Sequence, residues 1–178
     1  MPDEVILVNE NDEELGVMEK MEAHRKALLH RAFSIFIFNE KKEMLLQQRA
    51  FMKYHSAGLW TNACCSHPRP GEDIKDAAVR RLYEEMGFTT AIKEIFHFTY
   101  KHAFENGLTE FEVDHVFFGY HNGKICPDKE EANDFCFMNM NDIESSLKSH
   151  PAKFSAWFHI AFPMIKKWLQ NSDQLQTA

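Results

Sequence analysis

Two adjacent thiols and an imidazole occur together in the segment TNACCSHPRPGE. Cys64 and Cys65 are neighbours, and His67 follows two positions after the second thiol. A deprotonated cysteine can act as a base, and a histidine can bind a metal or transfer a proton. Free cysteines are more often buried as small apolar groups, so inert packing thiols are the competing interpretation. The prolines after His67 exclude a helix, and the sequence therefore predicts a loop that presents the imidazole rigidly.

A later segment carries closely spaced carboxylates. The letters TEFEV place Glu110 and Glu112 two positions apart, so both side chains point to the same face of a strand. Asp114 continues this acidic face, which becomes apolar at Val116 and Phe118. An exposed acidic strand face is the ordinary alternative. The change from acidic to apolar along one face instead indicates the rim of a cavity.

A charge pair within an amphipathic helix is the third candidate. Residues 73–86 predict a helix that begins at Asp73 and ends at Gly87, with apolar residues at helical spacing. Glu85 and Arg81 fall inside its apolar stripe. A surface ion pair at this spacing would contribute only about 0.3 to 0.5 kcal/mol. A carboxylate directed at the core is costly unless it is paired or bound to a metal, so its position favours a functional role for Glu85.

The elements that must position these residues alternate between strands and helices. The strand-like segments are EVILVN, RAFSIFIFNE, KEMLLQQR, EIFHFTYKH and LTEFEVDHVFFGY. KEMLLQQR is expected to return from RAFSIFIFNE through a hairpin over NEKK. FSAWFHIAFPMIKKWLQ predicts a terminal helix that is kinked at its proline. This mixed order predicts an α/β or α+β fold.

Length and composition predict a single domain over residues 1–178, with a loose tail from about residue 172. The 178 residues, 44% of them hydrophobic, suffice for one substantial core. The four cysteines lack a Cys-x-x-Cys spacing and no signal segment is visible, which predicts reduced thiols and a cytoplasmic location. No apolar run is long enough for a membrane span. The net charge of −7 argues against nucleic acid as a partner, so an anionic ligand requires a local basic cluster.

The predicted helix and the loop before it resemble the Nudix box. In SHPRPGEDIKDAAVRRLYEEMGF the matching positions are Glu72, Arg80, Leu82, Glu84, Glu85, Gly87 and Phe88. Two positions depart, because Ser66 stands where the box has glycine and Arg81 stands where the hydrolases have a metal-binding carboxylate. The resemblance implies a Nudix-like mixed sheet sandwiched by helices. The missing carboxylate argues against diphosphate hydrolysis.

Most of the chain is similar to the type I isopentenyl diphosphate isomerases. The matching segments, in the same order, are EKMEAH, LLHRAFSIFIFN, QQRAFMK, GLWTNACCSHP, YEEMG, TEFEV and FSAW. The divalent-metal ligands that this resemblance implies are His24, His30, His67, Glu110 and Glu112. It also implies a second ion, Mg²⁺, held by Glu85 together with the diphosphate, and a metal contact for Cys65. Imidazoles with carboxylates suit Mn²⁺, Zn²⁺ or Mg²⁺, so the metal at the His/Glu site stays open.

The reaction implied by this resemblance converts isopentenyl diphosphate to dimethylallyl diphosphate through a tertiary carbocation. Glu112, beside Tyr100, would deliver a proton and Cys65 would accept one, with the duties exchanged in the reverse direction. Trp157 would offer its π face to the cation, an interaction of about 2 kcal/mol when desolvated, and core packing is its competing role. The implied diphosphate contacts are Lys20, Arg49, Lys53 and Arg81. The expected partner is the small prenyl diphosphate, and the oligomeric state stays open, a monomer included.

Two other functions compete with the isomerase. A Nudix pyrophosphohydrolase of a nucleotide or prenyl diphosphate would share the fold and Mg²⁺ but would not need Cys65 or Trp157. A non-catalytic module that binds a metal or a diphosphate would explain the ligands. It would not explain a thiol and an acid around an apolar pocket, so the isomerase accounts for most of the features.

Overall fold

The protein consists of a nine-stranded mixed sheet with helices on both faces. The computed structural model describes the backbone of residues 3–176 and the side chains of residues 3–172. The strands are β1 Glu4–Val8, β2 Glu14–Glu19, β3 His30–Phe38, β4 Met44–Arg49, β5 Trp60–Asn62, β6 Cys64–Ser66, β7 Ile92–Ala103, β8 Thr109–Tyr120 and β9 Ala132–Met138. The helices are α1 Lys20–Lys26, α2 Ile74–Met86, α3 Met140–Ser149 and α4 Ala156–Gln176, with a short 3-10 turn at Pro151–Lys153. The predicted α+β arrangement, a mixed sheet between helices, is confirmed.

Strand β3 crosses the middle of the sheet and is buried on both faces. It pairs in parallel with β8, from His30 opposite Glu112 to Phe38 opposite Tyr120, and antiparallel with β6. Its odd-numbered apolar residues pack beneath α2, whereas its even-numbered phenylalanines pack beneath α4. This double burial explains why RAFSIFIF is hydrophobic at nearly every position, as is typical of strands covered on both faces.

Helix α2 has the boundaries that the sequence predicted. The side chain of Asp73 caps its first turn by accepting hydrogen bonds from the backbone amides of Lys75 and Asp76, at 2.9 and 3.2 Å. Gly87 ends the helix with a φ of 73°, and its amide donates to the carbonyl of Tyr83. A side chain at position 87 would also collide with a neighbouring backbone carbonyl, so the helix end requires glycine.

The hairpin predicted over NEKK is confirmed, although its two strands pair only next to the turn. The register of β3 with β4 joins Phe38 to Met44, next to the turn. From there β4 runs between β9 and β5, both antiparallel to it. Strand β9 lies far from β4 along the chain, and a local pattern cannot identify such a partner.

The last helix passes through its proline and extends farther than predicted. Helix α4 includes Pro163 and continues to Gln176, beyond the start of the tail expected from about residue 172. Proline lacks an amide donor, so one helical hydrogen bond is missing at this position. Residues 177–178 lie outside the described part of the chain. Within residues 3–176, no helix combines the length and the apolar character needed to cross a membrane.

Candidate active site

Three imidazoles converge on one carboxylate. His24 lies in α1, His30 begins β3, and His67 follows β6, while Glu112 projects from β8 opposite His30. The Oε1 atom of Glu112 is 4.0, 3.4 and 3.1 Å from the Nε2 atoms of His24, His30 and His67. We call these four side chains the histidine cluster. The parallel pairing of β3 with β8 brings segments that are distant in sequence to the same point.

The chemistry of the histidine cluster fits a divalent metal. The Nδ1 atom of His24 is 2.7 Å from the carbonyl of Lys20, and that of His30 is 2.8 Å from the carbonyl of Leu28. A carbonyl can only accept, so each Nδ1 carries the proton and each Nε2 presents a lone pair. Neither Nε2 atom has a hydrogen-bond partner among the described residues. Buried unpaired acceptors are costly, and a metal between them and Glu112 would remove that cost.

Glu110 lies beside the histidine cluster rather than within it. The donor atoms of the four cluster members lie within 4.8 Å of one another, whereas Glu110 forms a second, overlapping group with His24 and His55. His55 Nε2 is 3.2 Å from Glu110 Oε1. The five predicted ligands are therefore neighbours, and a fourth imidazole joins them. Among the described residues, neither Cys65 nor Glu85 belongs to these two groups.

Tyr100 forms an acidic pair with Glu112. The antiparallel register of β7 with β8 sets the two residues opposite each other, and Tyr100 Oη is 2.7 Å from Glu112 Oε2. Burial alone would raise the pKa of Glu112, but the nearby imidazoles of His30 and His67 outweigh it and lower that pKa well below its usual value. Burial and the charge on Glu112 raise the pKa of Glu110. Glu112 therefore loses its proton before Glu110 as the pH rises, and a bound metal would favour the ionised form of both.

The two adjacent cysteines occupy different environments. The thiol of Cys65 donates to Asn62 Oδ1 at 3.1 Å and lies 3.3 Å from Ser34 Oγ, which in turn donates to Asp114 Oδ2 at 2.8 Å. Burial, followed by the charge on Asp114, raises the pKa of the Cys65 thiol, so the thiol is the resting form. Cys64 is completely buried in the core under α2. Successive strand residues face opposite sides, and β6 therefore directs only one thiol toward the site.

Glu85 is buried and ion-paired. Its Oε1 atom accepts from Arg81 Nη2 at 2.7 Å, and its Oε2 atom accepts from Gln47 Nε2 at 3.1 Å. Arg81 Nη2 is also 3.2 Å from Glu131 Oε1, and Lys53 forms an ion pair with the same carboxylate. Two of the predicted diphosphate contacts thus meet at Glu131.

The other two predicted diphosphate contacts lie against aromatic rings. Lys20 forms an ion pair with Asp3, and its Nζ is 5.4 Å from the ring centre of Tyr54. The Arg49 guanidinium lies 5.2 Å from the ring centre of Trp157. Both arrangements are within the range of cation–π interactions.

A cavity of about 50 Å³ joins the thiol to the acidic pair. Its lining includes Cys65, Tyr100, Glu112, Trp157 and Arg49. Trp157, which is 3% exposed, thus borders the cavity and also packs in the interior. A thiol and a carboxylate that face one small cavity can add a proton to a bound molecule and remove another.

The comparisons with known proteins agree with this geometry. The family model described as NUDIX domain matches residues 28–158. The isopentenyl-diphosphate Delta-isomerase of Pectobacterium atrosepticum is 47% identical over 167 residues, covering 94% of this chain and 93% of that protein. This chain belongs to the isopentenyl-diphosphate Delta-isomerase family of Nudix proteins. Isopentenyl-diphosphate Delta-isomerase 1 of Aromatoleum aromaticum is 51% identical, covering 88% of this chain and 89% of that protein. A solved structure, DR0079 from Deinococcus radiodurans, covers 89% of this chain and 96% of that chain with a TM-score of 0.74 at 15% identity, which supports the fold alone.

Several polar residues of this family member were missed by the sequence analysis. Ser34 and Asn62 contact the thiol of Cys65, His55 contacts Glu110, and Glu131 joins two basic side chains. Ser34 had a detectable signal, because it is a single hydroxyl within the apolar run RAFSIFIF. The others lie in segments without a periodic pattern, and their roles depend on contacts across the fold.

Proposed function

We propose that this chain converts isopentenyl diphosphate to dimethylallyl diphosphate by adding one proton and removing another. The observation that carries the proposal is that the Cys65 thiol and the Tyr100–Glu112 pair line the same cavity. The names of its relatives at up to 51% identity support the same reaction.

The proton transfers follow from the positions of the two groups. Addition of a proton to the terminal methylene gives a tertiary cation, and loss of a proton from the carbon nearer the diphosphate forms the new double bond. We assign the first transfer to Glu112 with Tyr100 and the second to Cys65. The raised pKa of Cys65 and the lowered pKa of Glu112 favour a protonated thiol and an ionised carboxylate, which are the starting forms for the reverse reaction. The forward direction therefore requires one proton to move from the thiol to the carboxylate before reaction.

The cation is protected by the walls of the cavity. Water in contact with a tertiary cation would trap it as an alcohol, so the reacting carbons must be enclosed. Trp157 lies against the Arg49 guanidinium, which supports the ability of its ring to stabilise a positive charge.

Two sets of residues would hold ions and the diphosphate. The histidine cluster and Glu110 would bind Mg²⁺, Mn²⁺ or Zn²⁺, and the bound ion would supply positive charge that orients Glu112. Glu85 would bind Mg²⁺ together with the diphosphate. The expected basic contacts of the diphosphate are Lys20, Arg49, Lys53 and Arg81. The cytoplasmic location and a monomeric state remain predictions.

The pyrophosphohydrolase alternative is weakened by Arg81. Arg81 stands where the hydrolase box has a further acidic ligand, and its guanidinium donates to the Glu85 carboxylate at 2.7 Å. Fewer acidic groups then remain to hold an ion that activates water. We therefore expect negligible hydrolysis of the diphosphate.

Incubation of the chain with isopentenyl diphosphate in D₂O tests the proposal. The acidic pair exchanges with solvent, so deuterium should enter the new methyl group of dimethylallyl diphosphate, as measured by mass spectrometry and NMR. Release of phosphate or diphosphate at the rate of substrate loss, without deuterium in an allylic product, would support the hydrolase. Binding without turnover would support the non-catalytic module.

A further inference from the structure

A fourth imidazole, His55, lies at the edge of the histidine cluster, where neither the sequence pattern nor the family resemblance assigned a residue. Its side chain is 5% exposed, and its Nε2 atom is 3.2 Å from Glu110 Oε1. Its Nδ1 atom is 3.3 Å from Ser56 Oγ. Both ring nitrogens thus have a polar neighbour, so the ring has a defined orientation.

Aromatic neighbours hold the His55 ring in place. The ring stacks on Phe104 at a centroid distance of 4.6 Å and an interplanar angle of 17°. It stands nearly perpendicular to Tyr54 at 4.4 Å and to Trp157 at 5.9 Å. Rotation of the ring would break these contacts together with both polar contacts.

The loop that carries His55 bends so that the side chain points inward. Backbone hydrogen bonds between Arg49 and Leu59 and between Gly58 and Arg49 close the loop at its base. Ser56, directly after His55, has a φ of 50°, a conformation that non-glycine residues rarely adopt. The chain thus turns sharply beside the histidine.

Tyr100 cannot donate fully to both Glu110 and Glu112, so Glu110 has room for a second hydrogen-bond donor. The Tyr100 hydroxyl has a single proton and lies closer to Glu112, at 2.7 Å, than to Glu110, at 3.1 Å. His55 Nε2 faces the other oxygen of Glu110. When the Ser56 hydroxyl donates to Nδ1, the single proton of the neutral ring lies on Nε2 and is directed at this carboxylate.

We propose that His55 is a positioning residue of the metal centre, whose Nε2–H donates to Glu110 Oε1 and holds that carboxylate toward the histidine cluster. The inference rests on the metal centre described under Proposed function. Hydrogen bonds to metal-ligating carboxylates keep them oriented, and their loss typically weakens metal binding by about 10- to 100-fold.

Zn²⁺ affinity of the metal-free chain, measured by competition with a chromophoric chelator, tests this role without an activity assay. His55→Phe keeps the stack on Phe104 but removes the donor, so Zn²⁺ affinity should fall by about 10- to 100-fold. His55→Gln restores an N–H donor and should bind Zn²⁺ nearly as tightly as the unaltered chain. His102→Phe is a matched control, because the His102 ring also contacts Phe104, at 4.8 Å, and its replacement should leave the affinity unchanged.

A double-mutant cycle with Glu110 separates positioning from packing. In a Glu110→Gln background, His55→Phe should cause no further loss of affinity, and an undiminished loss would overturn the proposal. Two other results would also overturn the proposal: His55→Gln binding Zn²⁺ as weakly as His55→Phe, or His55→Phe binding Zn²⁺ as tightly as the unaltered chain. If His55→Phe does not fold, His55→Asn, whose shorter side chain cannot reach Glu110, takes its place. Failure of the unaltered chain to bind Zn²⁺ would instead reject the metal centre as well.

Discussion

Cys64 and Cys65 are adjacent in sequence, yet the structure predicts opposite consequences when each is replaced by alanine. Cys64 is fully buried in the core under α2. Removal of its sulfur should cost about 1 kcal/mol in lost burial, with a further contribution from the small cavity. For a chain of this length, 1 kcal/mol corresponds to a fall in melting temperature of about 2 to 4 °C. The Cys64→Ala variant should largely retain its catalytic rate.

Cys65→Ala removes a side chain that contacts the cavity, Asn62 and Ser34. Its loss should change the free energy of unfolding by about 0.5 kcal/mol, because hydrogen bonds of a neutral thiol contribute at the low end of the usual range. The catalytic effect should be large, since general acid–base groups contribute about 10²- to 10⁴-fold to kcat. Cys65→Ala should therefore lose activity while its melting temperature stays within about 2 °C of the unaltered chain.

Both variants should be assayed in the same buffer for dimethylallyl diphosphate formation and for thermal unfolding by circular dichroism. We expect Cys64→Ala to lose stability but keep its turnover, and Cys65→Ala to lose turnover but keep its stability. Equal loss of activity in the two variants, or extensive unfolding of Cys65→Ala, would refute the separate roles assigned to the thiols.

Two further predictions concern metals and protons. Treatment with a chelator should abolish activity, and Mg²⁺ with Mn²⁺ or Zn²⁺ should restore it. Mass spectrometry should detect one bound ion before substrate is added, because the ion at Glu85 also needs the diphosphate. Two tightly bound ions in the substrate-free chain would contradict this role of Glu85. In the metal-free chain, His55 and His67 should lower the free energy of unfolding as the pH drops from about 6.5 toward 4, whereas Glu110 and Asp114, whose pKa values are raised chiefly by burial, contribute with the opposite sign. Burial, the largest cause, lowers the folded-state pKa of His67 to about 4 and that of His55 to about 3, so the unfolded chain takes up protons first. Each histidine should contribute a slope of about 1.4 kcal/mol per pH unit within this window, and urea titrations in which His55→Phe leaves the pH dependence of stability unchanged would contradict it.

Local sequence patterns were sufficient where the structure depends on local contacts. The boundaries of α2 follow from a capping aspartate and a terminal glycine, and both interactions lie within a few residues of the helix end. The face shared by Glu110 and Glu112 follows from strand alternation. The full pairing of the strands was harder to predict from local patterns, because β4 pairs with β9 and β5 over most of its length rather than continuing along β3.

Residue identity and spacing alone determined that this chain carries a thiol beside an imidazole, two carboxylates on one strand face and a charge within the stripe of a helix. Only the tertiary structure decided which of these groups meet. The parallel alignment of β3 with β8 brings His30 to Glu112, and the loop before β5 inserts His55 against Glu110. Such contacts join groups that are far apart along the chain, and their distances depend on how whole elements pack rather than on local periodicity.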